Sequence, residues 1–164
     1  MSQPPLLVFG YGNPSRGDDA LGPEFLTRLE ASLDAGEMPT AFETLTDFQL
    51  QIEHALDLEG RPLVLFVDAS LSAPAPYILT RLSPSQDESY TTHAMSPSSV
   101  LAVFEQVSDN SLPPVYLLSI RGYEFELGAA ISDQAKQHLD QALEFITGLL
   151  VSNDLGAWQE AIKE

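Results

Sequence analysis

The sequence predicts a single α/β domain built around a mostly parallel β-sheet of five strands. Short apolar runs that suit buried strands alternate along the chain with longer segments whose apolar residues recur at helical spacing. This alternation is typical of β-α-β units, in which consecutive strands lie parallel. A length of 164 residues fits one domain, and a hydrophobic content of 44% is enough to form a core. We therefore expect one domain over residues 1–164.

Five segments have the composition of β-strands. Three are continuous apolar runs, as expected of buried strands, and the second in chain order is weaker. The fourth alternates apolar and polar residues and follows Pro74 and Pro76, which favours an edge strand. The predicted strands are residues 6–10, 41–45, 63–67, 77–82 and 115–120.

Four segments have apolar residues at helical spacing. Pro23 suits the first turn of the first helix, and Ser96-Pro97 is a strong start signal for the third, with Ser as N-cap and Pro at N1. The fourth is the longest and carries a continuous apolar stripe. The predicted helices are residues 23–33, 48–58, 97–107 and 132–151, and we expect residues 153–164 to form a loosely packed tail.

Charge and composition exclude several functions. The chain has 7 Lys and Arg against 24 Asp and Glu, a formal net charge of −17, which repels nucleic acid and anionic lipid. It contains no cysteine, so a disulfide framework, a zinc-thiolate site and a cysteine nucleophile are ruled out. No signal-peptide pattern and no apolar run of ~20 residues is present, so we expect a cytoplasmic protein without a membrane span.

Polar residues follow the predicted strands where chemistry is expected. Asp18 and Asp19 lie in the loop after the first strand, Asp68 ends the third, and His93 precedes the Ser96-capped helix. Parallel sheets bind ligands outside the carboxyl ends of their strands, so these groups are expected to converge. Two carboxylates and one imidazole suit a divalent first-row metal and leave coordination positions open for water or substrate.

Each of these residues also has a purely structural interpretation. Asp18 or Asp19 is explained equally by a helix cap, and His93 by an ordinary exposed histidine in a polar loop. Asp68 is harder to explain in this way, because a charge at the end of a buried strand normally needs a partner.

The remaining polar residues of note are given structural roles. We predict that His54 and His138 lie on the surface of their helices. Asp47 and Asp133 are predicted to be turn and cap residues.

The glycines of the first loop do not form a nucleotide-binding motif. A dinucleotide fingerprint that begins at Gly10 and Gly12 needs a third glycine at position 15, which is Ser15. No phosphate-loop Lys-Ser or Lys-Thr pair follows, and no Gly-x-Ser-x-Gly elbow of a serine hydrolase is present.

Taken together, several motifs resemble those of the hydrogenase maturation endopeptidases. Residues 10–22 (GYGNPSRGDDALG) are similar to the N-terminal signature of that family. Val67-Asp68-Ala69 and His93-Ala94-Met95-Ser96-Pro97 match its second acidic position and its histidine segment, and residues 119–132 are similar to its C-terminal part. The resemblance extends over nearly the whole chain, to about residue 150.

The resemblance implies a three-layer α/β/α sandwich around a twisted sheet. It also implies removal of the C-terminal extension from the large-subunit precursor of a nickel–iron hydrogenase after nickel insertion. The nickel would be presented by the substrate, with no permanently bound cofactor. The family's catalytic and nickel-contacting residues carry over to Asp19, Asp68 and His93, and Asp18 has a supporting role.

Two positions depart from the family pattern, and two other functions stay open. Position 20 is alanine where glycine is frequent, and residues 46–50 lack a glycine-rich turn, which leaves the hydrogenase type undetermined. A nickel-sensing chaperone that does not cut would use the same three residues. A small α/β domain that binds an anion at its first loop is opposed by the acidic charge. We expect a monomer, because no sustained heptad pattern is present.

Overall fold

The computed structural model describes residues 5–36, 41–85, 95–152 and 154–162. Within these ranges the strands are β1 Leu6–Tyr11, β2 Phe42–Asp47, β3 Val64–Ser70, β4 Tyr77–Arg81 and β5 Val115–Arg121. The α-helices are α1 Leu21–Asp34, α2 Pro97–Val107, α3 Asp133–Ser152 and α4 Leu155–Ala161. Short 3₁₀ helices span Gly17–Ala20 and Ile52–Leu58.

The described strands form one sheet in the order β2-β1-β3-β5-β4. Strands β2, β1, β3 and β5 run parallel, and β4 pairs antiparallel with β5 at the edge of the sheet. The predicted mostly parallel sheet and its edge strand are therefore confirmed. Strand β1 lies between its successors, with β2 on one side of it and β3 on the other. The connections diverge between the carboxyl ends of β1 and β3, where open α/β sheets form a ligand-binding crevice.

Both faces of the sheet are covered, as the α/β/α prediction requires. Alternation along β1 sends Leu6 and Val8 to one face and Leu7 and Phe9 to the other. The first face packs against α1, α3 and α4, and the second against α2 and the 3₁₀ helix Ile52–Leu58. None of the helices in the described ranges has the length and apolar character needed to cross a bilayer.

Three elements differ from their predictions. The helix predicted for residues 48–58 is a 3₁₀ helix that begins only at Ile52, although Leu50, Ala55 and Leu58 are buried as its pattern indicates. Strand β3 continues past Val67 because its pairing with β5 extends to Ser70. The expected loose tail contains α4, anchored by Trp158, which is buried against Tyr116 with ring centroids 5.6 Å apart.

The first turn of α1 lies unusually close to the sheet. A Cβ atom added at Gly22 would lie 2.5 Å from the carbonyl oxygen of Tyr11 and 2.8 Å from that of Val67. A Cβ atom at Gly10 would lie 2.4 Å from the carbonyl oxygen of Gly22. The two glycines therefore allow backbone to pack directly on backbone, which brings the start of α1 to the crevice between β1 and β3.

Replacing Gly22 by Ala is expected to destabilise the protein by about 2–3 kcal/mol, because the added methyl group meets backbone atoms that cannot rotate away. Gly148→Ala is the matched control, since Gly148 lies within α3 with open space around its Cα. That change should stabilise the protein by about 0.5–1 kcal/mol, as Ala favours helix over Gly. Urea unfolding measures both changes, and equal effects of the two would contradict the close packing at Gly22.

Candidate active site

Asp19 is held at the carboxyl end of β1 by the loop that follows this strand. Gly12 adopts a φ of 144°, a backbone conformation that residues with a side chain rarely adopt. Its N–H donates to the carbonyl of Asp47 at 3.0 Å. The next backbone N–H, of Asn13, donates to Oδ2 of Asp19 at 2.8 Å. One carboxylate oxygen of Asp19 is therefore fixed, while the side chain remains partly exposed.

Asp68 lies on the neighbouring strand, across the crevice from Asp19. The pairing of Gly10 with Val67 puts the next residues, Tyr11 and Asp68, side by side. The Tyr11 side chain and the Asp68 carboxylate are close enough for each to influence the pKa of the other. Asp68 is partly exposed, whereas Tyr11 is buried.

The charge of Asp19 is close enough to disfavour ionisation of Asp68. Burial, with a smaller contribution from the charge of Asp19, raises the pKa of Asp68 to about 7. Burial also raises the pKa of Tyr11 well above its ordinary value, with the charges of Asp68 and Asp19 contributing. Two such carboxylates repel each other, and a cation between them would remove that repulsion.

The third predicted ligand, His93, lies outside the described residues. Within the described part of the chain, no group of three His, Cys, Asp or Glu side chains is arranged to hold a metal ion. The structure thus brings Asp19 and Asp68 to one crevice, and the roles of Asp19, Asp68 and His93 as nickel contacts and catalytic residues remain predictions.

Asp18 points away from the crevice and ties two loops together. Its side chain is fully buried and accepts hydrogen bonds from the N–H groups of Tyr123 (2.7 Å), Glu124 (3.1 Å) and Ser132 (2.7 Å). The Ser132 hydroxyl donates a fourth bond at 2.8 Å. Burial alone would raise the pKa of Asp18, but these donors together lower it below its ordinary value. Asp18 therefore fixes the Gly17–Ala20 helix, which carries Asp19, onto the segment between β5 and α3.

Both histidines predicted to lie on the surface are in fact partly buried, so that prediction is wrong. The His54 ring packs edge-on against Phe9 with centroids 4.7 Å apart, and its Nδ1 accepts from the N–H of Gln51. Its Nε2 lies 3.3 Å from Oδ2 of Asp47, the last residue of β2. The contact with Gln51 forms because His54 is the N3 residue of the short helix that Gln51 caps. Gln-x-x-His differs from the usual Ser/Thr-x-x-Glu/Gln capping pattern, so the sequence does not indicate this contact.

The second histidine is enclosed by the segment that follows β5. Nε2 of His138 lies 2.9 Å from the Tyr123 hydroxyl, and Nδ1 is buried without a hydrogen-bond partner among the described residues. Nothing in the helical pattern of α3 indicates this contact, because Tyr123 belongs to a loop outside that helix.

The fold and the acidic crevice together define an α/β protein with a candidate site at its topological switch point. The same fold occurs in a nickel–iron hydrogenase maturation protease, HycI, from Thermococcus kodakarensis KOD1, with a TM-score of 0.68, 19% identity, and 92% of this chain and 94% of that chain covered. It occurs also in the hydrogenase maturating endopeptidase HybD from E. coli, with a TM-score of 0.68, 22% identity and coverages of 91% and 93%.

A hydrogenase 2 maturation peptidase from the Thaumarchaeota archaeon SCGC_AB-539-E09 is similar as well, with a TM-score of 0.60, 20% identity and coverages of 89% and 97%. No family model and no curated protein matches the chain. The chain therefore has the fold of the hydrogenase maturation proteases over nearly its full length, and the predicted α/β fold is confirmed.

Proposed function

We propose that this protein is a hydrogenase maturation endopeptidase and a member of that family. It removes the C-terminal extension of a nickel–iron hydrogenase large-subunit precursor after nickel has been inserted. The observation that carries the proposal is the meeting of Asp19 and Asp68 at the switch-point crevice, in a chain with the fold of maturation proteases.

The carboxylates supply a reason for cleavage to depend on nickel. Without a cation, Asp19 and Asp68 repel each other and offer little to a peptide. Nickel already bound in the precursor accepts both carboxylates as ligands and leaves room for His93. Docking then requires a metal-loaded client. Nickel acts here as part of the substrate, and no permanently bound cofactor is needed.

Exposed apolar side chains beside the crevice favour a polypeptide substrate. Phe48, Ile52 and Leu56 are 64%, 63% and 65% exposed, respectively. They follow Asp47, whose carbonyl accepts the N–H of Gly12 in the loop that holds Asp19. A large folded partner would cover such a surface, whereas a small ligand would not. We also propose that the protein acts as a monomer in the cytoplasm, where its client is matured.

The proposal is tested with the purified protein and two precursor preparations, one loaded with nickel and one without. Mass spectrometry should show loss of a C-terminal fragment from the loaded precursor only. Binding of the loaded precursor without any change in its mass would instead indicate a chaperone. Equal cutting of both preparations would contradict recognition of nickel.

Replacing His93 by Ala is expected to slow this cleavage by at least ~100-fold, because the nickel loses one of its three contacts from the enzyme. Gln106→Ala, at an exposed position of α2, is the control and should cleave normally. Circular dichroism should show that both variants are folded. If the His93→Ala protein cuts the loaded precursor at the normal rate, His93 is not part of the site.

A further inference from the structure

Strand β2 forms one edge of the sheet, and its outer side is not paired with any described strand. The carbonyl of Asp47 accepts the N–H of Gly12, so the backbone groups of Asp47 face β1. The N–H and C=O of one residue point the same way in a strand, and this direction alternates from residue to residue. The backbone groups of Phe42, Thr44 and Thr46 therefore face outward, and within the described ranges no backbone group pairs with them.

A groove with a volume of about 460 Å³ lies along this edge. Glu30 and Leu33 of α1 line it on one face of the sheet, and Asp57 and Arg61 line it on the other. The side chains of an extended peptide placed beside Thr44 would point alternately to these two walls. The shape of the groove therefore suits an added strand, whose backbone would pair with the outward groups of β2.

The charge of the groove favours a basic peptide. Arg61 forms an ion pair with Glu43 and donates to the carbonyl of Asp57 at 2.9 Å, so its own charge is compensated. The carboxylates of Glu30 and Asp57 have no Lys or Arg partner in the part of the chain that the structure describes. They attract Lys or Arg side chains of an added strand. They also oppose pairing with a second copy of this chain, whose β2 edge carries the same charges.

The carboxyl end of β2 adjoins the candidate active site. Gly12, which donates to Asp47, precedes Asn13, whose N–H donates to Oδ2 of Asp19. In the proposed function the bond to be cut lies at this crevice, and the extension begins at that bond. An extension that leaves the crevice along β2 runs from the carboxyl end of the strand toward its amino end, which is the antiparallel direction.

We propose that the outer edge of β2 binds the C-terminal extension of the precursor as an added antiparallel strand, with Lys or Arg side chains of the extension facing Glu30 and Asp57. The inference rests on the proposed function and deepens it, because it assigns a binding surface to the segment that is removed. Backbone pairing supplies affinity for any extended sequence, whereas the acidic walls supply the preference for basic residues. The six residues of β2 offer about 20 Å of edge to the extension.

Thr44→Pro tests the backbone edge, because proline removes the outward N–H of Thr44 and leaves the bonds between β2 and β1 in place. The control is Arg81→Pro in β4, at the other edge of the sheet. The N–H of Leu82 donates to the carbonyl of Val115 on β5, so the N–H of Arg81 faces outward as well. Steady-state cleavage of the nickel-loaded precursor is measured for both variants, and circular dichroism shows whether they are folded.

Thr44→Pro should raise KM roughly 10-fold and change kcat by less than about 2-fold, because the lost pairing holds substrate and transition state equally. Arg81→Pro should leave both constants unchanged. A synthetic peptide with the sequence of the extension should inhibit the wild-type protein competitively, and it should bind Thr44→Pro roughly 10-fold more weakly.

Glu30→Lys tests the acidic wall and also decides the matter if Thr44→Pro does not fold. The control is Glu105→Lys, which changes the net charge equally at an exposed position of α2. Glu30→Lys should raise KM on the order of 3- to 10-fold, because it repels the basic side chains of the extension. Glu105→Lys should leave KM unchanged.

The outcomes separate this role from the proposed function. A wild-type protein that does not cut the loaded precursor would overturn the function and with it the role of β2. Normal cutting by the wild type, with an unchanged KM in a folded Thr44→Pro variant, would overturn the added strand alone. An unchanged KM in Glu30→Lys would overturn the preference for basic residues. Equal effects of a test variant and its control would overturn the role of β2 as well, since that result indicates a general loss of stability or charge.

Discussion

Replacing Asp68 by Asn is expected to abolish cleavage of the nickel-loaded precursor while the protein stays folded. The substitution keeps the size of the side chain and its ability to accept a hydrogen bond. It removes the negative charge that the proposed nickel contact requires, and we expect a loss of at least ~100-fold. Mass spectrometry of the precursor measures the loss, and Asp34→Asn, at the exposed end of α1, is the control.

The same variant should change how stability depends on pH. The folded-state pKa of Asp68 is about 7, whereas an unfolded Asp titrates near ~3.9. Between these values the folded protein binds a proton that the unfolded chain has lost, so this group's contribution to stability falls as the pH rises through that window. It is constant above pH ~7, where both states have lost the proton.

Asp68→Asn removes this loss of folding stability at rising pH, because the amide does not titrate. Relative to wild type, the variant should gain stability between pH 5 and pH 8, by on the order of 1–3 kcal/mol. Urea unfolding at both pH values measures the difference. A difference between variant and wild type that does not change with pH would show that Asp68 is not destabilised by burial. Cleavage at the wild-type rate would exclude Asp68 from the site, whatever the effect on stability.

Replacing Asp18 by Ala is expected to cost about 3–5 kcal/mol of folding free energy, the largest stability effect in the molecule that we predict. The change leaves three backbone N–H groups and the Ser132 hydroxyl without the buried acceptor that they share. Asp18→Asn should cost less, since the amide oxygen still accepts some of these bonds. Urea unfolding near neutral pH measures both variants.

The pH dependence at Asp18 has the opposite sign to that at Asp68. The folded-state pKa of Asp18 lies below its ordinary value, so its contribution is present above the unfolded pKa of ~3.9 and is lost as the pH falls through the folded value. Asp133→Ala is the control, because Asp133 begins α3 with an exposed side chain and should cost under ~1 kcal/mol. A loss of less than ~1 kcal/mol for Asp18→Ala would contradict the structural role of that carboxylate.

The elements that were predicted correctly are those with strong local causes. Leu63 to Val67 is a continuous apolar run, as is typical of a parallel strand that is buried on both faces. Ser96 caps α2 by accepting from the N–H of Ser99, as a Ser-Pro start indicates. Pro74 and Pro76 placed β4 at the edge, since proline cannot donate to a sheet ladder.

The partners of polar side chains were not predictable in the same way. No local pattern in the sequence distinguishes the roles of the two adjacent acids, Asp18 and Asp19. Their roles diverge because one side chain turns toward Ser132, 114 positions along the chain, and the other toward Asn13 and the crevice. Only the packing of the segment after β5 onto the Gly17–Ala20 helix decides which acid is buried.

By itself the sequence determined the fold class, the edge strand and the apolar residues of the two cores, because periodicity and proline act over a few neighbouring residues. It also identified Asp19, Asp68 and His93 as the candidate site through their resemblance to a family. Tertiary structure alone decided the strand order, the partners of Asp18 and the approach of Asp19 to Asp68. These depend on contacts between residues far apart in sequence, whose energies no local pattern encodes.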